Sequence, residues 1–345
     1  MSGPAQPVRE ALALAAAGKA AEAVALLEHA ASGQDADALF ALALWRVDGR
    51  LVRRDLARAR ADLGRAAALS HRDAARVLGS FQAIGIGGDR DWPAALTLLA
   101  QWAERDPQAR RQLDLIAAMA LDATGEPISA FEPELLRRDP YVARFPALFS
   151  DAECRFLAEA AAPRFKPATI FHDGQQRFVR DPLRDSEAAS FSFVSEWPAV
   201  HALNRRLAAA SGTKVEAAET LQVLRYGPGQ QYKPHLDAIP GMANQRVLTF
   251  LIYLNEGYSG GETVFPELDL SVAGRTGLGL LFANARQDGS PDPRTRHAGA
   301  PVTTGSKLIA SRWIRARAPE RPEEGFGRHE AEQRVRGSRA GPPLA

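Results

Sequence analysis

Two segments in the N-terminal third of the chain match at an offset of 36 residues. One begins DGRLVRRD and the other IGIGGDRD, so that Gly49 aligns with Gly85 and Asp55 with Asp91. Apolar residues return at helical spacing through both segments. A fixed period in this range is typical of helix-pair solenoids, in which each unit buries its apolar face only against its neighbours. The period therefore predicts an α-helical repeat, an α-solenoid, over residues 1–125.

The helices before the two segments extend the same repeat. They lie around Ala38–Leu44 and Ala74–Ala83 and align at the same offset, and GKAAEAVALLEHAA from Gly18 forms a partial earlier unit. The small-residue pattern and the turn with glycine six residues before aspartate resemble Sel1-like repeats, which are relatives of the tetratricopeptide family. A generic helical bundle rich in alanine is the alternative that this pattern leaves open.

Composition favours a soluble globular protein in a reducing compartment. The chain has 345 residues, more than one core of ~250–300 residues usually contains, so we expect two domains. Its 43 basic and 41 acidic side chains nearly balance, which gives no electrostatic reason to expect a nucleic acid or an anionic membrane as partner. Because the chain has one cysteine, Cys154, no disulfide can form within it. No signal peptide is evident at the start, and we expect a cytoplasmic protein.

A change of pattern predicts a second domain over residues 139–318. Residues 126–138 are expected to form a linker, and the charged tail, 319–345, to be disordered. Ser150 and Glu153 form a capping box before a helical run, and another helix is expected from Pro198 to Ala210. Strand-like runs then follow: TLQVLRY, VLTFLIYL, GLGLLFAN and SKLIASRWIRAR. Helices followed by clustered strands predict an α+β domain built on a β-sandwich or jelly roll.

A candidate metal centre begins with His235 and Asp237. These residues lie two apart, and on a strand such residues point to the same face, so that both can reach one metal ion. His297, about sixty residues later, is the candidate third ligand. Two imidazoles and one carboxylate leave open positions on iron(II), as in non-haem oxygenases. A His-x-Asp pair by itself is weak evidence, because most such pairs bind no metal.

Lys307 is a candidate partner for an anionic cosubstrate. It follows His297 by ten residues and opens the strand SKLIASRWIRAR. 2-Oxoglutarate chelates a metal through its keto acid end, and a lysine pointing into a barrel can hold its second carboxylate. Strand alternation places Lys307, Ser311, Trp313 and Arg315 on one face. A solvated surface lysine is the alternative for Lys307 taken alone.

Several motifs in order resemble the prolyl 4-hydroxylases. The string Y-x2-G-x2-Y-x2-H-x-D, which runs from Tyr226 to Asp237, looks like the family motif around its first two metal ligands. RVLTFLIYLN with SGGETVFP is similar to the next family block, and DGSPDPRTRHAGAPVTTGSKLIASRWI to the last. The resemblance covers about residues 139–317. It implies a double-stranded β-helix, or jelly-roll, oxygenase domain.

The resemblance also implies a role for each matched residue. His235, Asp237 and His297 would bind iron, while Lys307 would pair with the distal carboxylate of 2-oxoglutarate. Tyr226 and Thr263 would add hydroxyl contacts to that cosubstrate. The residues that would line the place of a peptide substrate are Tyr232, Arg246, Trp313 and Arg315. Arg315 stands where some family members have a histidine.

The implied function is Fe(II)- and 2-oxoglutarate-dependent hydroxylation of a carbon of a peptidyl, preferably prolyl, substrate. The cofactors would be Fe(2+), 2-oxoglutarate and O2, and whether L-ascorbate is needed stays open. The helical repeats could recruit a peptide or protein partner. The alternatives are hydroxylation of a free amino acid or small metabolite, a non-catalytic Sel1-type scaffold, and a cupin-like site using zinc or manganese. The presence of all three ligands and Lys307 argues against the last two.

Overall fold

The computed structural model describes residues 5–172, 177–180 and 183–318. It divides into two compact units. We call the first the helical unit, which comprises Met1–Pro127 and Phe193–Ala202. We call the second the sheet unit, which comprises Ile128–Ser192 and Leu203–Ala345. The expected disordered tail, 319–345, lies outside the described residues.

The helical unit is built from seven consecutive helices within its described residues. Each helix packs against the next along the chain, which is the contact pattern of a helical repeat. The helices are α1 (Gln6–Ala16), α2 (Ala20–Ser32), α3 (Ala36–Asp48), α4 (Leu56–Ala68), α5 (Arg72–Ile84), α6 (Trp92–Trp102) and α7 (Pro107–Ala117). The sequence prediction of an N-terminal helical repeat is confirmed.

The 36-residue period corresponds to helix ends that recur. Gly49 and Gly85 follow α3 and α5 with φ of 78° and 92°, in the left-handed region where a side chain is strained. Asp55 and Asp91 precede α4 and α6, and each carboxylate accepts a hydrogen bond of 2.9 Å from the backbone N–H three residues later. The matched residues are therefore the stop and start signals of equivalent helices.

The sheet unit contains two larger antiparallel sheets. One of them has eight strands and the other has four. Apolar residues of both sheets share one core, among them Phe282 of the larger sheet and Phe265 of the smaller. The predicted jelly-roll type of fold is confirmed.

The strand bounds are as follows. From one edge to the other, the larger sheet contains β1 (Glu134–Arg137), β2 (Val142–Phe145), β13 (Gly279–Ala283), β9 (Arg246–Tyr253), β16 (Lys307–Arg315), β7 (Leu221–Tyr226), β6 (Glu187–Phe191) and β3 (Lys166–Pro167). The smaller sheet contains, in the same sense, β12 (Leu270–Val272), β11 (Thr263–Phe265), β14 (His297–Gly299) and β8 (Tyr232–His235). Two pairs stand apart: β4 (Thr169–His172) with β5 (Arg177–Arg180), and β10 (Ser259–Gly260) with β15 (Val302–Thr304).

Two further helices match the sequence signals. Helix α8 (Asp151–Ala161) begins at a complete capping box formed by Ser150 and Glu153. Helix α9 (Pro198–Ser211) ends before Gly212, which has a φ of 65°. Strand β1 lies within the segment expected to be a linker, residues 126–138, so part of that segment joins the larger sheet. None of the helices in the described part of the chain is both long and apolar enough to cross a bilayer.

Candidate metal centre and adjoining pocket

His235, Asp237 and His297 converge in the sheet unit. His235 is the last residue of β8 and pairs directly with His297, the first residue of β14. Asp237 lies two residues beyond His235, just after the strand ends. One potential ligand atom from each of the three buried side chains lies within 4.8 Å of the others. The pairing of two strands thus brings together ligand candidates that are far apart in sequence.

The hydrogen bonds of the two histidines aim their other ring nitrogen at this centre. Nδ1 of His235 lies 2.8 Å from the carbonyl oxygen of Lys233, and Nδ1 of His297 lies 3.0 Å from that of Thr295. A carbonyl can only accept, so in the neutral ring Nδ1 carries the proton and Nε2 carries a lone pair. Backbone carbonyls commonly orient metal-binding histidines in this way.

The surroundings of the buried Nε2 of His235 indicate whether a metal ion fits the site. This atom has no hydrogen-bond partner among the described residues, although an oxygen of Asp237 lies 3.4 Å away. Nε2 of His297 lies 3.6 Å from the other oxygen of Asp237. Lone pairs of two imidazoles and an anionic carboxylate would repel one another in a buried space unless a cation lay between them. The donor set therefore fits a divalent ion with nitrogen and oxygen ligands.

The electrostatics of the centre favour the metal-binding protonation states. Burial alone would raise the pKa of Asp237, but its interactions with His297, His235 and Thr249 outweigh burial and hold that pKa far below its ordinary value. Burial lowers the pKa of His297 to about 4, against the opposing effect of Asp237. The centre thus combines a carboxylate with a neutral imidazole.

Aromatic rings enclose the two imidazoles. Tyr232 stacks on His235 with ring centroids 3.5 Å apart and an interplanar angle of 18°. Phe282 and Phe265 contact the ring of His297 at centroid distances of 4.6 and 5.5 Å. These contacts hold the rings in place and exclude water from one side of the centre.

A pocket of about 510 Å³, partly open to solvent, adjoins the centre. Residues of both sheets line it, including all three ligand candidates and the side chains of one face of β16. On that face Lys307, Ser311 and Trp313 alternate as strand geometry predicts. Of the remaining sequence-predicted site residues, the lining includes Tyr226, Tyr232 and Thr263, but neither Arg246 nor Arg315.

Lys307 is a buried cation that lines the pocket. Its Nζ donates a 2.6 Å hydrogen bond to the carbonyl oxygen of Gly261 and lies 5.3 Å from the ring centroid of Tyr253. Tyr226 faces Lys307 across the β7–β16 pairing. Burial, only partly offset by Glu262, lowers the pKa of Lys307 to about 8. Because burial destabilises the charged form of Lys307, a carboxylate bound beside it would stabilise that form strongly.

Sequence reasoning missed four residues that support the site. Tyr253 places its hydroxyl 2.6 Å from that of Thr263, so the predicted cosubstrate contact is itself held in place. Thr249 and Asn284 form a chain of hydrogen bonds to Asp237. Glu219 binds both predicted arginines of the substrate region. Along VLTFLIYL, side chains alternate between the two faces of the strand, which places Thr249, Leu251 and Tyr253 on one face. This signal could have identified two of the four missed residues, Thr249 and Tyr253.

The chain is similar to known proteins over about half of its length. Prolyl 4-hydroxylase 1 of Arabidopsis thaliana is 32% identical over 210 residues, which cover 55% of this chain and 74% of that relative. The profile of the 2OG-Fe(II) oxygenase superfamily matches residues 221–315, which contain every ligand candidate and Lys307. The chain belongs to the prolyl 4-hydroxylase family.

Other prolyl 4-hydroxylases match a similar share of the chain. Prolyl 4-hydroxylase subunit alpha-1 of Rattus norvegicus is 34% identical over 191 residues, or 52% of this chain and 35% of that relative. The chain therefore spans about a third of the length of these longer relatives.

Two solved structures are similar to separate parts of this prolyl 4-hydroxylase homologue. The 2-oxoglutarate complex of the viral collagen prolyl hydroxylase from Paramecium bursaria chlorella virus-1 has a TM-score of 0.41 and 28% identity, covering 51% of this chain and 96% of the viral one. A Sel1 repeat protein from Oxalobacter formigenes has a TM-score of 0.26 and 28% identity, covering 27% of this chain and 71% of its own.

Proposed function

We propose that this chain is an Fe(II)- and 2-oxoglutarate-dependent dioxygenase that hydroxylates a prolyl residue of a peptide or protein. One observation carries the proposal: His235, Asp237 and His297 meet within 4.8 Å at a pocket that also contains the buried Lys307. Family membership supports the same chemistry, since the relatives are prolyl 4-hydroxylases.

In this proposal His235, Asp237 and His297 would hold Fe(2+). When bound, iron and 2-oxoglutarate would supply the oxidising chemistry that consumes O2, releases succinate and CO2, and adds a hydroxyl group to carbon. His235 and His297 present their Nε2 lone pairs, while Asp237 supplies the negative charge. The carbonyls of Lys233 and Thr295 keep both rings in the required tautomer.

Lys307 would bind the distal carboxylate of 2-oxoglutarate. The anion would take the place that the Gly261 carbonyl occupies as acceptor, or share the ammonium group with it. Tyr226 and Thr263 line the same end of the pocket and would donate further hydrogen bonds. The hydroxyl of Tyr253 restrains that of Thr263.

Trp313 and Tyr232 would form the apolar walls against which the substrate ring lies. Both line the pocket, and Tyr232 is anchored by its stacking on His235. Arg246 would assist substrate binding from the margin of the pocket, where it lies over the ring of Trp313. The aromatic walls exclude water and position a substrate carbon near the metal ligands.

The test is mass spectrometry for a +16 Da product across proline-containing peptides and lysate proteins. The intact protein is compared with His297→Ala, with and without L-ascorbate. We expect the mass shift only with the intact protein, together with loss of Fe(II) binding by the variant in an anaerobic titration. An unchanged product from His297→Ala would refute the metal assignment.

Succinate release separates the proposed function from its alternatives. Stimulation by a proline-containing peptide supports a peptidyl substrate, whereas stimulation by a free amino acid alone would support the small-molecule alternative. Binding of iron without any turnover of 2-oxoglutarate would support the scaffold alternative.

The helical unit enters the proposal as the part that recruits a protein substrate. The test compares one proline site presented in a short peptide and in its parent protein. We expect a lower KM for the protein, and cross-links from it to the helices of residues 5–127. Equal KM values for the two substrates would argue against recruitment.

A further inference from the structure

Two arginines share one carboxylate beside the pocket. Nε and Nη2 of Arg246 lie 2.6 and 2.8 Å from the two oxygens of Glu219. Nη2 of Arg315 lies 2.7 Å from one of the same oxygens. We call Arg246 and Arg315 the arginine pair. Within the described residues, no second acidic side chain forms an ion pair with either arginine.

The arginine pair is held against the pocket wall. Cζ of Arg246 lies 4.2 Å from the ring centroid of Trp313, which lines the pocket. The backbone N–H of Glu219 donates a 2.7 Å hydrogen bond to the carbonyl of Trp313, so the shared carboxylate is tied to the same strand. A planar guanidinium stacked on an aromatic ring and bound bidentately is strongly restrained.

Arg315 is restrained from its other side. Its Nη1 lies 2.7 Å from both the carbonyl oxygen of Asn244 and the sulfur of Met242. The side chains of Arg246, Arg315 and Glu219 are 20%, 24% and 18% exposed, so the cluster is neither buried nor freely solvated. The positive charges therefore stay in place at a partly desolvated margin, where an anion is attracted more strongly than in open water.

Charge counting leaves this margin with a positive excess. Glu219 balances one arginine of the pair, and the other remains. Nη1 of Arg246 also makes no hydrogen bond in the described part of the chain, so donors remain for an incoming acceptor.

We propose that the arginine pair is a subsite for a substrate carboxylate close to the residue that is hydroxylated. The inference rests on the proposed function and narrows its substrate class. The carboxylate could belong to an acidic side chain one or two residues from the target, to the C-terminus of a peptide, or to a free amino acid. All three present the same planar anion to a guanidinium fork.

The experiment measures binding of matched substrate pairs by the intact protein loaded with Mn(II) and 2-oxoglutarate. The pairs are proline peptides with Glu or Gln beside the proline, peptides ending in proline as acid or amide, and free proline against prolinamide. Fluorescence anisotropy follows labelled peptides, and competition follows the small molecules. We expect at least one acid to bind about tenfold more tightly than its neutral twin, and this ratio to fall as salt rises.

Variants test whether the arginine pair causes the preference for the acid over its neutral twin. In Arg315→Gln the ratio of the two Kd values, neutral twin to acid, should fall to about twofold or less, because the variant removes one positive charge of the pair. Arg315→Lys should keep part of the preference, since it keeps the charge. Arg317→Gln is the matched control, because Arg317 is an exposed arginine two residues further along the chain. It should leave the ratio unchanged.

The inference and the proposed function fail in different ways. If the wild-type protein does not bind 2-oxoglutarate or does not release succinate, this result would argue against the proposed function. If 2-oxoglutarate binds but every acid binds no better than its twin, or if no member of any pair binds, the carboxylate subsite is wrong. An equal fall in the ratio with Arg317→Gln would also overturn it, because the effect would then be general surface charge.

Discussion

Thr249 donates a hydrogen bond of 2.6 Å to Oδ2 of Asp237, in a buried part of the metal centre. Its hydroxyl oxygen in turn accepts a 2.8 Å hydrogen bond from Nδ2 of Asn284. Thr249 lies on β9 and Asn284 just after β13. Two strands of the larger sheet therefore orient Asp237, a ligand candidate that follows β8 of the smaller sheet. Outer hydrogen bonds of this kind tune both the direction and the basicity of a ligand.

Replacing Thr249 by valine should weaken metal binding. The variant keeps the branched shape but removes the donor to Asp237, so we expect a loss of about 10- to 100-fold in Fe(II) or Co(II) affinity. Anaerobic equilibrium titration measures it, and the absorption of bound Co(II) reports a changed geometry. Thr249→Ser restores the hydroxyl and should bind nearly as tightly as the wild type. Wild-type affinity in Thr249→Val would show that Asp237 needs no such restraint.

Cosubstrate binding should depend on pH through Lys307. Burial lowers the pKa of Lys307 from 10.5 to about 8, so the free protein loses this proton as the pH rises through that value. A carboxylate binds the protonated form, hence the Kd for 2-oxoglutarate should rise above about pH 8, by up to tenfold per pH unit. Calorimetry with Mn(II) in place of iron measures it. Lys307→Arg stays charged and should lose this dependence, whereas a flat wild-type profile up to pH 10 would contradict the prediction.

Substitution of Gly261 should act on Lys307. Gly261 has a φ of 73°, and a Cβ there would lie 3.1 Å from Cδ of Lys307. Gly261→Ala should therefore cost ~1–2 kcal/mol in the free energy of unfolding and also raise the KM for 2-oxoglutarate. Gly289 has a φ of 82° with nothing within 4 Å of its Cβ position, so Gly289→Ala isolates the backbone strain. Equal KM values for the two variants would mean that Lys307 is not displaced.

The helix caps of the repeat should contribute equally. Asp55→Ala and Asp91→Ala each remove one N-cap hydrogen bond, and each should cost ~1 kcal/mol in the free energy of unfolding. Hydrogen exchange should speed up at the amides of Arg58 and Ala94, which lose their acceptors. Asp89→Ala is the control, an exposed acidic residue before the same helix. A similar loss in the control would show that the effect is one of charge rather than capping.

Local rules explain why much of the fold could be predicted from the sequence. The glycine and aspartate signals of the repeat act within a few residues, as does the capping box of Ser150 and Glu153. The four long strand predictions correspond to β7, β9, β13 and β16, whose residues are apolar enough to identify them without their partners. Short strands such as β3 and β10 have two residues each, and only their pairing defines them.

The residues of the site that lie within one sequence motif could be predicted. Those that are brought together only by contacts between strands could not. His235 and Asp237 lie close together in the chain, but the pairing of His297 with His235 depends on the register of two distant strands. Thr249, Asn284 and Glu219 act through partners that are distant in the chain. Strand alternation marks Thr249, but the sequence around Asn284 and Glu219 contains no sign of these contacts. Phe193–Ala202 groups with the helical unit although it follows sheet-unit residues in the chain. The predicted domain boundaries and residue roles stay predictions.

A ligand set assembled across a strand pair does not depend on the length of the chain that connects its members. The ladder between β8 and β14 determines how far apart the two imidazoles lie, so the loops that join β9 to β14 can lengthen or shorten while the distance between the imidazoles is maintained. Natural variants of this protein should therefore accumulate insertions and deletions in those loops. A single-residue slip between the two paired strands, by contrast, would turn one imidazole away and abolish the centre.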